Sequence, residues 1–191
     1  ENVDRAIDKA IALAAKLRPK PAPPRDDLYL GLAHAPVTVI EYASLGCPHC
    51  AAFAVDVFPK FKAAYIDTGK GRFVLREMLT VNTTLAEAGF LTARCAGPAK
   101  YFQVVDGVYR AQTEIFAGAA AYALILKVAQ GAGLTEDQFN ACLKDQKGID
   151  AVQAREKRAE ADGVTGTPTF IIAGKTFEGE HTFEELSAAV D

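Results

Sequence analysis

The stretch "VTVIEYASLGCPHCAAF", residues 37–53, decides how the chain is read. Its first half is rich in β-branched residues and apolar on both faces, the pattern of a central strand covered by helices. Its second half sets Cys47 and Cys50 three positions apart, with Pro48 directly after the first. Proline suits the first turn of a helix, where its missing N–H would be unpaired anyway, so Cys47 is expected at the N-cap. Phe53, Val57, Phe61 and Tyr65 then recur at four-residue intervals, which predicts a helix from Cys47 towards Ile66, kinked at Pro59.

Working outward, "DLYLG" and "RFVLREML" read as further strands, and the segment between the second and third strands makes a βαβ unit with parallel pairing and a right-handed crossover. The pattern then changes. Helices are expected over 85–96, 98–112 and 119–130, followed by one opening on the capping box of Thr135 and Gln138 and running through Lys144. A further helix is expected from about Ile149 to Asp162, ending at Gly163. "TPTFIIAGKTFEG" resumes strand character with a hairpin turn at Gly174 and Lys175, and "TFEELSAAV" supplies a last helix. At the other end, Val3, Ile7, Ala10, Ile11, Ala14 and Leu17 recur at helical spacing before "PKPAPP" stops the helix. The expected architecture is an α/β sheet domain in two sequence halves, 28–81 and 149–191, with an all-helical insertion over 82–148 and a peripheral helix and Pro-rich tether over 1–27.

Composition narrows the functions. The formal charge of -3, with both signs interspersed, leaves no footprint for nucleic acid or anionic lipid. The longest apolar run, "AGAAAYALIL" (117–126), is too short to span a bilayer, so a soluble protein is expected. The chain begins at Glu1 without a signal-like apolar segment, so any export signal is expected to have been removed. Half of the residues are hydrophobic, enough for a core without cross-links, and the 4 cysteines are unevenly spaced: one close pair, with Cys95 and Cys142 apart.

Three explanations compete with redox chemistry at Cys47 and Cys50. A zinc site needs four closed ligands, but His34, His49 and His181 are scattered and no second short-spaced pair exists. Covalent haem attachment needs a histidine after the second cysteine, where Ala51 stands. A purely structural disulfide would close too short a loop to restrain the unfolded chain. At an N-cap, by contrast, the Cys47 sulfur faces free N–H donors and the positive end of a helix dipole, which stabilises a thiolate, and His49 can add to the effect. Cys50, one turn in, is expected to be more buried and closer to an ordinary thiol. Stabilising the thiolate stabilises the reduced form, which favours an oxidant. Glu41 interrupts the apolar strand six residues before Cys47, where burial should raise its pKa; it serves either a structural salt bridge or proton exchange with the cysteines. Pro168 directly precedes a strand in "TGTPTF", a place where a cis bond after Thr167 would let a peptide backbone lie alongside.

"VTVIEYASLGCPHC", followed far downstream by "GVTGTPTFII", resembles the DsbA family of bacterial thiol–disulfide oxidoreductases, which have the thioredoxin fold with a helical insertion. The resemblance covers roughly Leu28 to Val190 and implies roles: Cys47 the exposed nucleophile, Cys50 its partner within a Cys47-Pro48-His49-Cys50 site, Glu41 the buried acid, and Thr167-Pro168 a cis-proline turn facing the disulfide and holding substrate. It further implies a monomeric periplasmic dithiol oxidase of exported proteins, needing no metal or other cofactor and reoxidised by a DsbB-like, quinone-linked membrane partner. A disulfide isomerase or reductase, and a thiol-based copper or zinc carrier, are the rival readings. The N-terminal helix has no counterpart in the family core. Some bacterial relatives resemble this chain in carrying a second cysteine pair, so Cys95 and Cys142 are expected to form a structural disulfide, the alternative being two buried free thiols.

Overall fold

The computed structural model describes residues 26–191, so the amphipathic segment from Val3 to Arg18 and the Pro-rich stretch after it lie outside the described residues. Five strands, β1 (Leu28–Gly31), β2 (Val37–Ala43), β3 (Gly71–Glu77), β4 (Thr169–Ile172) and β5 (Lys175–Glu178), form one sheet in the order β1-β3-β2-β4-β5. β2 and β3 are parallel, with Glu41 opposite Leu75; β1 pairs antiparallel with β3, and β4 antiparallel with β2, setting Phe170 opposite Glu41. The strand that carries Glu41 is therefore flanked on both edges. The β4–β5 hairpin turns at Ala173 and Gly174, whose φ values are 49° and 78°, and Lys175 already belongs to β5. The turn thus sits one residue earlier than the expected Gly174-Lys175, because a two-residue turn with both φ values positive matches the strand twist.

From Cys47 the chain enters a continuous helical run, α1, built of Pro48–Ala52, Phe53–Val57, Phe58–Phe61 and Lys62–Ile66. The second and fourth pieces are π-helical. Pro59 neither ends the run nor breaks it: Phe58 donates its N–H to the Phe53 carbonyl, and this wider turn just ahead of the proline absorbs the hydrogen bond and space that its ring takes away.

Four helices follow β3: α2 (Thr83–Cys95), α3 (Tyr101–Phe116), α4 (Ala121–Gly131) and α5 (Glu136–Leu143). The chain returns to the sheet through α6 (Gln146–Ala161) and ends in α7 (Phe183–Val190). α3 runs past the expected end at Gln112 because its buried stripe of Val105, Val108 and Gln112 continues to Ile115. α6 begins before the expected Ile149 because the Asp145 carboxylate caps it, accepting from the N–H groups of Lys147 and Gly148. Thr135 and Gln138 form both arms of a capping box at α5, and Thr182 and Glu185 do the same at α7.

The helices between β3 and α6 do not keep a core of their own. Val39, Phe73 and Phe170 from the sheet share one contiguous cluster with Val104, Ala129 and Phe139, while Tyr42, Met78 and Ala159 form a smaller cluster. With helices over the sheet, charged groups in its strands lose water, and the fold answers this differently for two carboxylates. Glu77, fully buried at the end of β3, accepts from Arg94 Nε (2.6 Å), Tyr101 OH (2.9 Å) and Arg155 Nη1 (3.1 Å). Asp26 extends this cluster to Arg155 and Arg158, and its hydrogen bond with Arg155 holds its pKa down at about 2. Glu41 Oε1 has no hydrogen-bond partner among the described residues.

Candidate active site

The reactive loop is fixed before any thiol chemistry is considered. Ser44 Oγ donates to the Thr80 carbonyl (3.0 Å) and accepts from the N–H groups of Thr80 (3.1 Å) and Gly46 (3.2 Å). Gly46 lies so close to the Asn82 backbone carbonyl that any Cβ there would collide with it. From α3, Gln112 donates through Nε2 to the carbonyls of Leu45 (2.7 Å) and Cys47 (3.3 Å). These bonds bring the loop after β2, the loop after β3 and the helical segment onto one spot.

Cys47 is the N-cap of α1 and Pro48 occupies its first turn. Both Cys47 and Cys50 are present as thiols. The expected exposed nucleophile is in fact covered: Cys47 is 1% exposed, against 0% for Cys50. The reason is the Thr167–Pro168 turn, joined by a cis peptide bond, whose Thr167 carbonyl lies 3.3 Å from Cys47 Sγ. The turn is braced from behind, Gly179 N–H donating to the Pro168 carbonyl (2.9 Å) and Thr169 Oγ1 to the Gly166 carbonyl (2.8 Å). Thr167 and Thr80 share a hydroxyl contact of 2.6 Å.

The two sulfurs differ in electrostatics rather than in exposure. The Cys47 pKa is lowered to about 5, first by the Cys50 thiol and then, against the opposing effect of burial, by the Thr167 hydroxyl and the backbone N–H groups of Cys50 and His49. Protonation therefore changes the partner: the thiol donates to the Thr167 carbonyl, and the thiolate accepts from the donors around it. Burial, and then the hydrogen bond with Cys47, push the Cys50 pKa far up, with the charges of Glu41 and Cys47 adding to the effect.

His49 contributes its backbone N–H to Cys47, but its ring turns elsewhere. Nδ1 lies 2.6 Å from Glu180 Oε1, and this hydrogen bond, then the charge of Glu180, raises the imidazole pKa; the charge of Cys47 contributes least. Glu41, 2% exposed in the centre of β2, has its pKa raised well above the carboxylate range by burial and by Cys47. Its Oε1 has no hydrogen-bond partner among the described residues, so the salt bridge weighed as its structural role is not formed there by that atom. Beside α1, a shallow groove of about 240 Å³ is lined by Ala52, Phe53, Val57 and the Glu180–Thr182 loop. Cys95 and Cys142 lie away from this centre and are joined in a disulfide between the end of α2 and α5, with Cα atoms 6.1 Å apart.

Sequence reasoning did not find Gln112, Thr80 or Glu180. Gln112 leaves one trace, an amide on the buried stripe of an amphipathic helix.

The chain matches a family model described as thioredoxin over residues 25–191. It is 32% identical over 169 residues to an inferred protein-disulfide oxidoreductase of Rickettsia conorii, covering 87% of this chain and 60% of that protein. A Rickettsia bellii protein of the same description is 32% identical over 168 residues, covering 87% of this chain and 64% of its own length. The chain thus spans about three fifths of the length of these curated relatives. Among solved structures, Wolbachia pipientis alpha-DsbA1 superposes with a TM-score of 0.77 at 27% identity, covering 92% of each chain.

Proposed function

Since the chain belongs to the DsbA-like thiol–disulfide oxidoreductases of the thioredoxin superfamily, we propose that it is a dithiol oxidase that passes the Cys47–Cys50 disulfide to exported proteins. One observation carries the reading: two thiols lie in one turn, Cys47 at the helix N-cap, where hydrogen-bond donors favour its thiolate, and Cys50 fully buried, which favours its protonated form. A substrate thiolate attacks Cys47 Sγ of the oxidised enzyme, forming a substrate–Cys47 disulfide and releasing Cys50 as a thiolate. The strongly basic Cys50 sulfur takes up a proton, and Glu41, protonated and electrostatically coupled to it, supplies that proton. A second substrate thiolate then attacks the substrate sulfur of the mixed disulfide and expels Cys47, whose low pKa makes it a good leaving group. The outcome is an oxidised substrate and the reduced Cys47–Cys50 pair.

In this reading His49 and Pro48 shape the N-cap, and Thr167 and Pro168 align an extended substrate segment over the sulfur. The groove beside Ala52 and Val57 offers its apolar side chains a surface. The oxidising direction calls for an oxidising compartment, the periplasm, and for reoxidation by a DsbB-like, quinone-linked membrane protein. The working unit is a monomer, with no nucleic acid in its cycle. Equilibration with glutathione tests the direction: a pair held mostly reduced at a ratio that oxidises thioredoxin-like dithiols supports the oxidase, whereas a stable disulfide under the same conditions marks a reductase. Faster repair of mispaired disulfides than oxidation of a reduced dithiol peptide marks an isomerase.

A further inference from the structure

A separate recess opens where β2 and β3 face α1 and α3, with a volume of about 330 Å³. That is near the lower end of the roughly 300–1,000 Å³ of small-molecule sites. Ring faces and edges make up much of its wall: Phe53 and Phe58 from α1, Phe73 from β3 and Phe102 from α3. Lys62, Gln103 and Asp106 also line it, and two buried polar groups interrupt the apolar lining, Glu41 and Tyr109, which are 2% and 3% exposed. Glu41 Oε1 and the Tyr109 hydroxyl are buried without a hydrogen-bond partner among the described residues. Folding does not favour leaving two such atoms unpaired in an apolar hollow, since each gave up its hydrogen bonds to water. Neither Cys47 nor Cys50 lines the recess.

We propose that this recess is a binding site for a small aromatic alcohol, its ring among the phenylalanines and its hydroxyl between Glu41 and Tyr109. The walls call for a flat apolar body that makes ring contacts, and the four phenylalanines supply them from three sides. A hydroxyl both donates and accepts, so one ligand atom meets the carboxyl oxygen as donor and the phenol of Tyr109 as acceptor. An anionic ligand would find no cation beside Glu41 and Tyr109 among the lining residues. Burial keeps Glu41 protonated, which removes the counter-charge an ammonium ligand would need. Lys62 and Asp106 line the recess with opposite charges and select for neither sign. The site shares Glu41 with the proposed exchange, and ligand binding is read without turnover.

Titration of the protein with 4-propylphenol and with propylbenzene, followed by calorimetry and by the aromatic NMR signals, tests the site. The phenol is expected to bind about tenfold more tightly than propylbenzene, the worth of a net hydrogen bond. Glu41→Leu should bring the two affinities within about twofold of each other, and Tyr109→Phe should narrow the gap as well. Val105→Phe, projecting a ring into the recess, should abolish binding of both compounds while the Cys47 titration confirms an intact fold; Ala54→Leu serves the same purpose if that variant does not fold. Equal affinities for the two compounds, binding that survives the filled recess, or no saturable binding of either would overturn the proposal, the last showing that water alone occupies the space.

Discussion

Glu180 and His49 stand 131 positions apart in sequence, yet Glu180 Oε1 lies 2.6 Å from His49 Nδ1 beside the reactive helix. The loop after β5 thereby raises the proton affinity of His49, one of the two residues between the cysteines. Both side chains are largely exposed, so salt screens the pair.

For that pair the sign is definite. Glu180 raises the His49 pKa, so whatever stability the pair contributes is complete below the unfolded value near ~6.5 and is lost as pH rises through the higher folded value. Glu180→Gln should lower the His49 midpoint, read by NMR of the imidazole ring, and 1 M-scale salt should shift the parent in the same direction. The Cys47 midpoint should move less than that of His49. An unchanged His49 titration in Glu180→Gln would mean that the contact has no electrostatic weight.

The reduced protein should lose stability in mild acid through Cys47. Its pKa is lowered from 9.0 to about 5, so the stabilisation it contributes falls as pH drops towards and through about 5. The clean window is about pH 8 to 5, because above it the raised Cys50 pKa contributes in the opposite sense. Denaturation of the reduced protein across this window should slope with pH, and Cys47→Ala should flatten it. Each unit by which the Cys47 pKa lies below the working pH stabilises the reduced pair and is worth about 30 mV, whereas a shift that stays above that pH adds almost nothing. A Cys47 midpoint near ~8.5 would sink the oxidising argument.

Legibility in the sequence followed distance along the chain. Cys47, Pro48 and Cys50 define a helix start by their own spacing, and Pro168 announces a strand entry, so these needed no tertiary knowledge. The β-branched run of β2 and the Thr135–Gln138 box were equally local. Gln112 reaches the Cys47 carbonyl across 65 positions and Thr80 meets Thr167 across 87, contacts that exist only once the helical segment has docked. The covering of Cys47 has the same origin. Glu77 carried a readable signal, a carboxylate within an apolar strand like Glu41, but its two arginines and its tyrosine lie in three different helices.

Glu41 should be retained at the expense of stability. Its pKa is raised, so its contribution is complete below the unfolded carboxylate range and is lost as pH rises towards the folded value; at neutral pH a buried acid is held against its preference to ionise in water. Glu41→Leu should stabilise the protein at neutral pH by roughly 1–3 kcal/mol, the worth of an unpaired buried polar group. The same substitution, and Glu41→Gln, should slow proton-coupled steps of exchange near neutral pH. If both half-reactions keep the parent rates, Glu41 has no part in proton transfer.

Glu77 should behave in the opposite way. Removing its carboxylate leaves Arg94 and Arg155, 21% and 12% exposed, with only the half-exposed Asp26 as counter-ion. Breaking such a buried pair from one side typically destabilises by about 3–5 kcal/mol, so Glu77→Leu should lower the denaturation midpoint sharply. Replacing Glu77 and Arg94 together should be less damaging than the sum of the single changes. Strict additivity would show that the contacts carry no coupling.

The disulfide between Cys95 and Cys142 closes a sequence separation of 47 and ties α2 to α5. In the chain-entropy model a loop of this size stabilises by about 4 kcal/mol, an upper figure, since residual structure in the unfolded chain reduces it. The cross-link also sits in an element that bears on the reactive loop: α2 carries Gly89, where an added Cβ would meet the Leu45 side chain two residues before Cys47. Replacing both cysteines by serine should therefore lower the denaturant midpoint, with an increased m-value because the unfolded chain is no longer held compact. The comparison must be made with Cys47 and Cys50 in one redox state, so that only one cross-link differs. Thiol counting on the unreduced, denatured parent supplies the independent check: with Cys47 and Cys50 reduced, two thiols are expected to react. Four would mean that the α2–α5 bond is not formed in solution, and an unchanged midpoint in the double variant would mean that it stabilises nothing.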